Sequence, residues 1–207
     1  MEEKQKEQLI KTVTCLGFAD AHPGDGLYQE AFDVGKVLAR EGYVVANGGG
    51  PGVMRATTEG AKSENGKVIG VTFYPKDVAN FEGRDPNNHI DEEIKTDHYL
   101  ARTLKLLEVG QAYVIFRGGT GTISEFGMAW GLARLYFGHH KPLILYGKFW
   151  ENIMAAFISN MRMRPEEFQV YRVVDTPEEV VKSLELFELM LEHNKHDFNP
   201  AEKAFEL

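Results

Sequence analysis

Short, uninterrupted apolar runs alternate along the chain with stretches of helical period. Residues 12–18 read as a first strand. Residues 27–41 read as a helix whose apolar positions Leu27, Ala31, Val34, Val37 and Leu38 recur at three- and four-residue spacings. Gly42 closes that helix before a second strand over 43–47. The alternation continues with a helix over 52–63, a strand over 67–72, a helix over 98–110 and a strand over 112–116. Helices over 122–136, 149–161 and 177–193 then alternate with strands over 142–146 and 170–174. Val114-Ile115-Phe116 and Leu143-Ile144-Leu145 are apolar at every position, as parallel strands covered by helices on both faces require. The predicted fold class is α/β, a Rossmann-like three-layer sandwich with a mostly parallel sheet flanked by helices. In the helix over 98–110, Leu100, Leu104 and Leu107 are expected to face the core. Residues 74–97, with Pro75, Gly83, Pro86, Asn87 and Asn88, form a long polar insertion with no predicted element and are a candidate lid.

Composition narrows the function classes. The 207 residues are 43% hydrophobic and 26% charged, an ordinary globular balance. They are expected to form a single domain over 1–207, with its core over 11–185 and a charged tail over 195–207. The net charge of −8 argues against gripping nucleic acid through overall charge and for a small-molecule partner. Cys15 is the sole cysteine, so neither an intramolecular disulfide nor a cysteine zinc cluster is available. Glu2, Glu3 and Glu7 do not fit a signal peptide, and no run approaches the ~20 apolar residues of a membrane span, so a cytoplasmic location is expected. The 21 glycines exceed the usual ~7% share, and the excess is clustered.

One cluster is Asn47-Gly48-Gly49-Gly50-Pro51-Gly52-Val53-Met54, and the other is Arg117-Gly118-Gly119-Thr120-Gly121-Thr122-Ile123-Ser124-Glu125. Each lies where a predicted strand ends and a helix begins. There, glycines let backbone N–H groups approach an anion and the helix N-terminus adds partial positive charge. Such turns also arise simply because tight turns need positive φ, but two at equivalent topological positions favour an anionic ligand, most naturally a phosphate. Neither cluster is a dinucleotide fingerprint, and the chain has no GxxxxGK[ST]. Glu125 lies about one turn into the helix of the second loop, where its carboxylate would sit near a bound phosphate or sugar. Arg102, early in the preceding helix, is a candidate for holding phosphate oxygens in a bidentate fork.

These residues resemble the LOG (Lonely Guy) family, long labelled "possible lysine decarboxylase". The similarity runs over about residues 11–185. It includes GGGPGVMRATTEGA, KPLILYGKFW and VVDTPEEVV. The family signature PGGxGTxxE is met at Gly118, Gly119, Gly121, Thr122 and Glu125, with Arg117 in place of the proline; Arg102 matches the family's arginine, and Thr103 replaces the lysine after it. Gly17-Phe18-Ala19 stands where the family often has Gly-Ser. The resemblance implies hydrolysis of the N-glycosidic bond of a nucleoside 5′-monophosphate to free base and ribose 5-phosphate, cytokinin ribotides being the best-known substrates. Glu125 would stabilise the oxocarbenium ion at C1′ and orient or deprotonate water, and Arg102 would bind phosphate or help the leaving base. Gly48, Gly49 and Gly50 with Gly118, Gly119, Thr120, Gly121 and Thr122 would hold the phosphate. No cofactor, metal, nucleic acid or membrane is called for, and a homodimer or higher homo-oligomer is expected. No lysine is placed to argue for a Schiff base.

Other residues carry less. His139-His140 reads as a polar turn rather than a metal site, and His98 as a surface or capping residue ahead of a proton donor. Asp20, His22 and Asp25 lie in the loop after the first strand, where contact with a ribose and loop solvation are both open. Met128, Trp130 and Leu132 fit either the core or a helix-to-helix dimer surface. The alternative to an enzyme is a module that binds or senses a nucleotide in the same pocket without chemistry. A carrier or transferase for another phosphorylated sugar is a weaker third reading.

Overall fold

The computed structural model describes residues 9–75 and 83–194, with Asn194 described in its backbone alone. In chain order the elements are β1 (Thr12–Leu16), α1 (Gly26–Arg40), β2 (Val44–Asn47), α2 (Val53–Ser63), β3 (Val68–Phe73), β4 (Glu92–Thr96), α3 (Tyr99–Val109), β5 (Ala112–Ile115), α4 (Thr120–Leu135), β6 (Leu143–Tyr146), α5 (Phe149–Asn160), a 3-10 turn (Pro165–Phe168), β7 (Tyr171–Val174) and α6 (Pro177–Asn194). The strands form one seven-stranded sheet in the order β4-β3-β2-β1-β5-β6-β7, every neighbouring pair parallel. This is the expected Rossmann-like α/β architecture, with a sheet that is parallel throughout.

Side chains of a strand alternate between the two faces, and in central strands such as β5 and β6 both faces are buried. In β1, Val13 and Cys15 join the core beneath α1, α2 and α6, while Leu16 joins the core beneath α3, α4 and α5. The same division in β5 sends Ala112 and Val114 one way and Tyr113 and Ile115 the other. α1 and α2 pack closely because each offers a glycine to the other. A Cβ on Gly35 would collide with the Thr57 carbonyl, and one on Gly60 with that of Phe32. On the opposite face Phe126 stacks on Trp130 at 5.2 Å and meets Trp150 at 4.9 Å, which anchors α4 beside Glu125.

Three expectations are corrected. The polar insertion contains a strand, β4, which pairs with β3 from Ile69 opposite Glu92 to Phe73 opposite Thr96. Its sequence, EEIKT, shows no apolar alternation because it is a largely exposed edge strand. Residues 76–82 of the candidate lid, and the expected tail 195–207, lie outside the described residues. In α3, Leu100 and Leu104 are 61% and 40% exposed, whereas Arg102, Thr103, Leu106 and Leu107 are buried. The inward stripe is thus rotated from the one the leucines suggest, and it carries an arginine. α4 starts two residues earlier than expected, so Thr120, Gly121 and Thr122 are its first turn.

From β1 the chain moves through α1 toward β2, and from β5 it moves through α4 toward β6, in the opposite direction along the sheet. The connections leaving the carboxyl ends of these adjacent strands therefore diverge, and the crevice between them is where an open parallel sheet accepts a ligand.

Candidate functional site

A cavity of about 370 Å³ occupies that crevice, within the ~300–1,000 Å³ range of small-molecule sites. Its walls come from the end of β1 and the loop after it (Cys15 to Ala19), from α3 and from the N-terminus of α4, with Gly48, Met54 and Gly83 completing them. Tyr99, Arg102 and Leu106 line it together because they stand at i, i+3 and i+7 on one face of α3.

The second glycine loop delivers open donors to this cavity. Gly119 is the N-cap of α4 and supplies no side-chain cap. The first intrahelical bond shown runs from the Ile123 N–H to the Gly119 carbonyl at 3.0 Å, so the N–H groups of Thr120, Gly121 and Thr122 have no intrahelical partner. These residues, with Gly119, line the cavity; Gly118 does not, and its missing Cβ instead admits the Thr122 side chain against the loop. One turn further on, Glu125 projects inward from a helix otherwise anchored by Phe126, Ala129 and Ala133.

Glu125 is 7% exposed and Arg102 is 6% exposed, and their closest ion-pair atoms, Glu125 Oε1 and Arg102 Nη1, are 3.9 Å apart. That separation attracts without forming a direct hydrogen bond. Burial raises the Glu125 carboxyl to about 7, desolvation outweighing the pull of the Arg102 guanidinium. A carboxyl that is half ionised near neutrality can both accept and return a proton. Arg102 is held by backbone carbonyls: Nε donates to Val71 O at 3.1 Å and Nη2 to Gly48 O at 3.3 Å, with the Met54 sulfur 3.5 Å from Nη2.

The first glycine loop is used differently. A Cβ on Gly48 would fall inside the Arg102 guanidinium, so this glycine makes room for the arginine. Gly49 and Gly50 do not line the cavity; their carbonyls accept from the Asp85 N–H at 3.0 Å and from Asn88 Nδ2 at 2.8 Å. Gly52, at φ +65, caps α2, and the Val53 N–H at that helix end donates to Phe18 O at 2.9 Å. This helix N-terminus is thus joined to the loop after β1.

Other candidates separate from the site. His98 caps α3, its Nδ1 accepting from the Ala101 N–H at 3.2 Å, and does not line the cavity. Neither do Asp20, His22 and Asp25; Asp25 Oδ2 accepts from the His22 N–H at 2.7 Å. His140 is buried against Phe137 and Phe187, and burial lowers its imidazole to about 4. Among the described residues no three His, Cys, Asp or Glu side chains gather as a metal site, and no described helix is long and apolar enough to cross a membrane. Met128, Trp130 and Leu132 are partly buried against the core, and the Trp130 indole N–H donates to Glu167 O at 2.7 Å. Cys15, Phe18, Met54 and Tyr99 are cavity residues the sequence reading did not select. The three-residue spacing from Tyr99 to Arg102 is the signal that would have found Tyr99.

Fold and site define a Rossmann-like α/β protein with a buried Arg–Glu pair beside an open helix N-terminus. The SLOG cluster4 family model (LDcluster4) matches residues 10–179, and the chain belongs to this family, in agreement with the LOG resemblance. It is 33% identical over 120 residues to an uncharacterised protein of Archaeoglobus fulgidus, covering 58% of this chain and 75% of that one. It is 31% identical over 121 residues to the cytokinin riboside 5′-monophosphate phosphoribohydrolase of Mycobacterium tuberculosis, covering 58% of this chain and 62% of the relative's length. The molybdenum cofactor binding protein of Rippkaea orientalis shares the fold, with a TM-score of 0.64 and 22% identity over 87% of this chain and 99% of that one.

Proposed function

We propose that the protein hydrolyses the N-glycosidic bond of a nucleoside 5′-monophosphate, of AMP or cytokinin ribotide type, to free base and ribose 5-phosphate. The observation that carries this reading is the placement of a buried carboxyl raised to about 7 one turn from three open N–H groups, in a single cavity. The α4 N-terminus binds the 5′-phosphate, and that remote binding energy sets the ribose against Glu125. Ionised Glu125 stabilises positive charge developing at C1′ as the C1′–N bond breaks. It takes a proton from the water that adds to C1′ and returns it to the departing base nitrogen, which leaves Glu125 ionised again. Arg102 is the fixed cation that keeps a fraction of Glu125 ionised against its burial; with two of its nitrogens on Gly48 O and Val71 O, it serves Glu125 before it serves phosphate. The curated mycobacterial relative supports the reaction class.

We also propose a homo-oligomer, supported by Leu100 and Leu104 on α3 and Ile123 and Leu135 on α4, large apolar side chains left exposed. Sedimentation at micromolar concentration tests it, and a monomer would refute it.

The functional test is chromatographic detection of free base after incubation with AMP, other nucleoside monophosphates and isopentenyl-substituted AMP. Base release by the wild type and its loss in Glu125→Ala are expected, and the substrate ranking names the base. AMP bound tightly and recovered intact would establish the binding-module alternative instead.

A further inference from the structure

The residues from Gly83 to Asn88 lie as a strap along the first glycine loop. The Asp85 N–H donates to Gly49 O at 3.0 Å, Arg84 Nη1 to the same oxygen at 3.3 Å and Asn88 Nδ2 to Gly50 O at 2.8 Å. The strap is also braced within itself, the Asn87 N–H donating to Asp85 Oδ1 at 2.8 Å and the Asn88 N–H to Asp85 O at 3.0 Å. Its first residue, Gly83, is part of the cavity wall.

Asp85 is the pivot of this arrangement, and its second carboxylate oxygen faces α2. Oδ2 is 3.9 Å from Arg55 Nη1, and the Asp85 side chain is only 10% exposed. Arg55 is itself aimed: Nε donates to Glu59 Oε1 at 2.7 Å, one turn along α2, and Glu59 Oε2 accepts from the Tyr28 hydroxyl at 2.7 Å. Tyr28 is buried on α1. Two hydrogen bonds, Tyr28 to Glu59 and Arg55 to Glu59, therefore aim the Arg55 guanidinium from the α1–α2 layer at Asp85, which it attracts as an ion pair at 3.9 Å. Arg55 directly follows Met54, which lines the cavity and touches Arg102, and the strap holds the carbonyls next to Gly48 O, on which Arg102 rests.

We propose that Arg55 and Asp85 are positioning residues for ligand binding: Arg55, braced by Glu59 and Tyr28, latches Asp85 and so fixes the Gly83–Asn88 strap as one wall of the cavity. This rests on the nucleoside-monophosphate reading of that cavity. The latch touches neither Glu125 nor the α4 N-terminus, so it governs how tightly ligand is held and not the pH dependence of the chemistry.

The test compares the wild type with Arg55→Met, Arg55→Lys and Asp85→Asn by amide hydrogen exchange, calorimetric titration with AMP and kinetics of base release. In Arg55→Met and Asp85→Asn the Asp85 and Asn88 amides should exchange faster. AMP affinity should fall and KM rise about tenfold, with kcat and its pH profile kept. Arg55→Lys, which lacks the fork needed to hold Glu59 and Asp85 together, should recover only part of the affinity. A merely structural role would lower the melting temperature and leave KM alone. Unchanged strap exchange, or KM and AMP affinity within twofold of wild type in Arg55→Met, would overturn the proposal. A wild type that binds AMP without releasing base would refute the hydrolase and leave exchange and affinity to judge the latch. A wild type that does not bind AMP would overturn both.

Discussion

The two glycine loops occupy equivalent places, each between a strand's carboxyl end and a helix N-terminus, and their sequences invite the same reading. Their structures diverge at the N–H groups. At the second loop, Gly119 leaves the first turn of α4 uncapped by any side chain, and its donors face the cavity. At the first, Phe18 O receives the Val53 N–H, and the neighbouring carbonyls are taken by Asp85, Arg84 and Asn88. One loop opens its N–H groups to the cavity; the other is a joint that seats Arg102 and the strap. Glycine reports that something comes close to the backbone, and it does not report what.

Substitutions sharpen this contrast. The largest effect is expected at the joint: Gly48→Ala drives a methyl into the Arg102 guanidinium, and displacing the fixed cation beside Glu125 should cost at least about 100-fold in kcat/KM for base release. Gly52→Ala combines an unfavourable φ of +65 with a clash against the Phe18 and Ala19 carbonyls, so thermal unfolding should show a loss of at least about 2 kcal/mol. At the second loop the effects are expected on binding. Thr120→Pro removes one N–H at the first helical position, where proline's φ is tolerated. KM for AMP should rise about tenfold, with stability within about 0.5 kcal/mol. Gly119→Ala is the mildest: its added methyl meets nothing within 4 Å at φ −93, and stability should change by less than about 1 kcal/mol. Equal effects of Gly48→Ala and Gly119→Ala would erase the distinction between the loops.

Most of the fold was legible because a parallel sheet buried on both faces writes itself as apolar runs, as in Val114-Ile115-Phe116. β4 was not, since an exposed edge strand of sequence EEIKT owes its place to backbone pairing with β3 and needs no apolar signature. In the site, Glu125 was legible from its spacing to the second loop and Arg102 from its place early in the preceding helix and its match to the family's arginine, and the structure brings them to 3.9 Å. The rotated stripe of α3 was not, because Leu100 and Leu104 look like core residues until the buried Arg102 claims that face. The strap was hidden for a different reason. Its contacts are between distant polar groups and backbone carbonyls, such as Asn88 with Gly50, and leave no periodic trace.

In the proposed hydrolysis Glu125, raised by burial to about 7, is the titrating carboxylate. It also fixes the sign of a stability effect. A folded-state value above the unfolded one contributes most below about pH 4.5, and that contribution is lost as pH rises to about 7, a change of about 3 kcal/mol relative to Glu125→Gln. The most direct measurement is the rate of base release from AMP between pH 5 and 9 by the wild type and by Glu125→Gln. The wild-type rate should climb through an apparent pKa near 7 and level above it, with turnover reduced at least about 100-fold at every pH in the variant. A wild-type rate independent of pH across this range, or substantial turnover by Glu125→Gln, would contradict this role for Glu125.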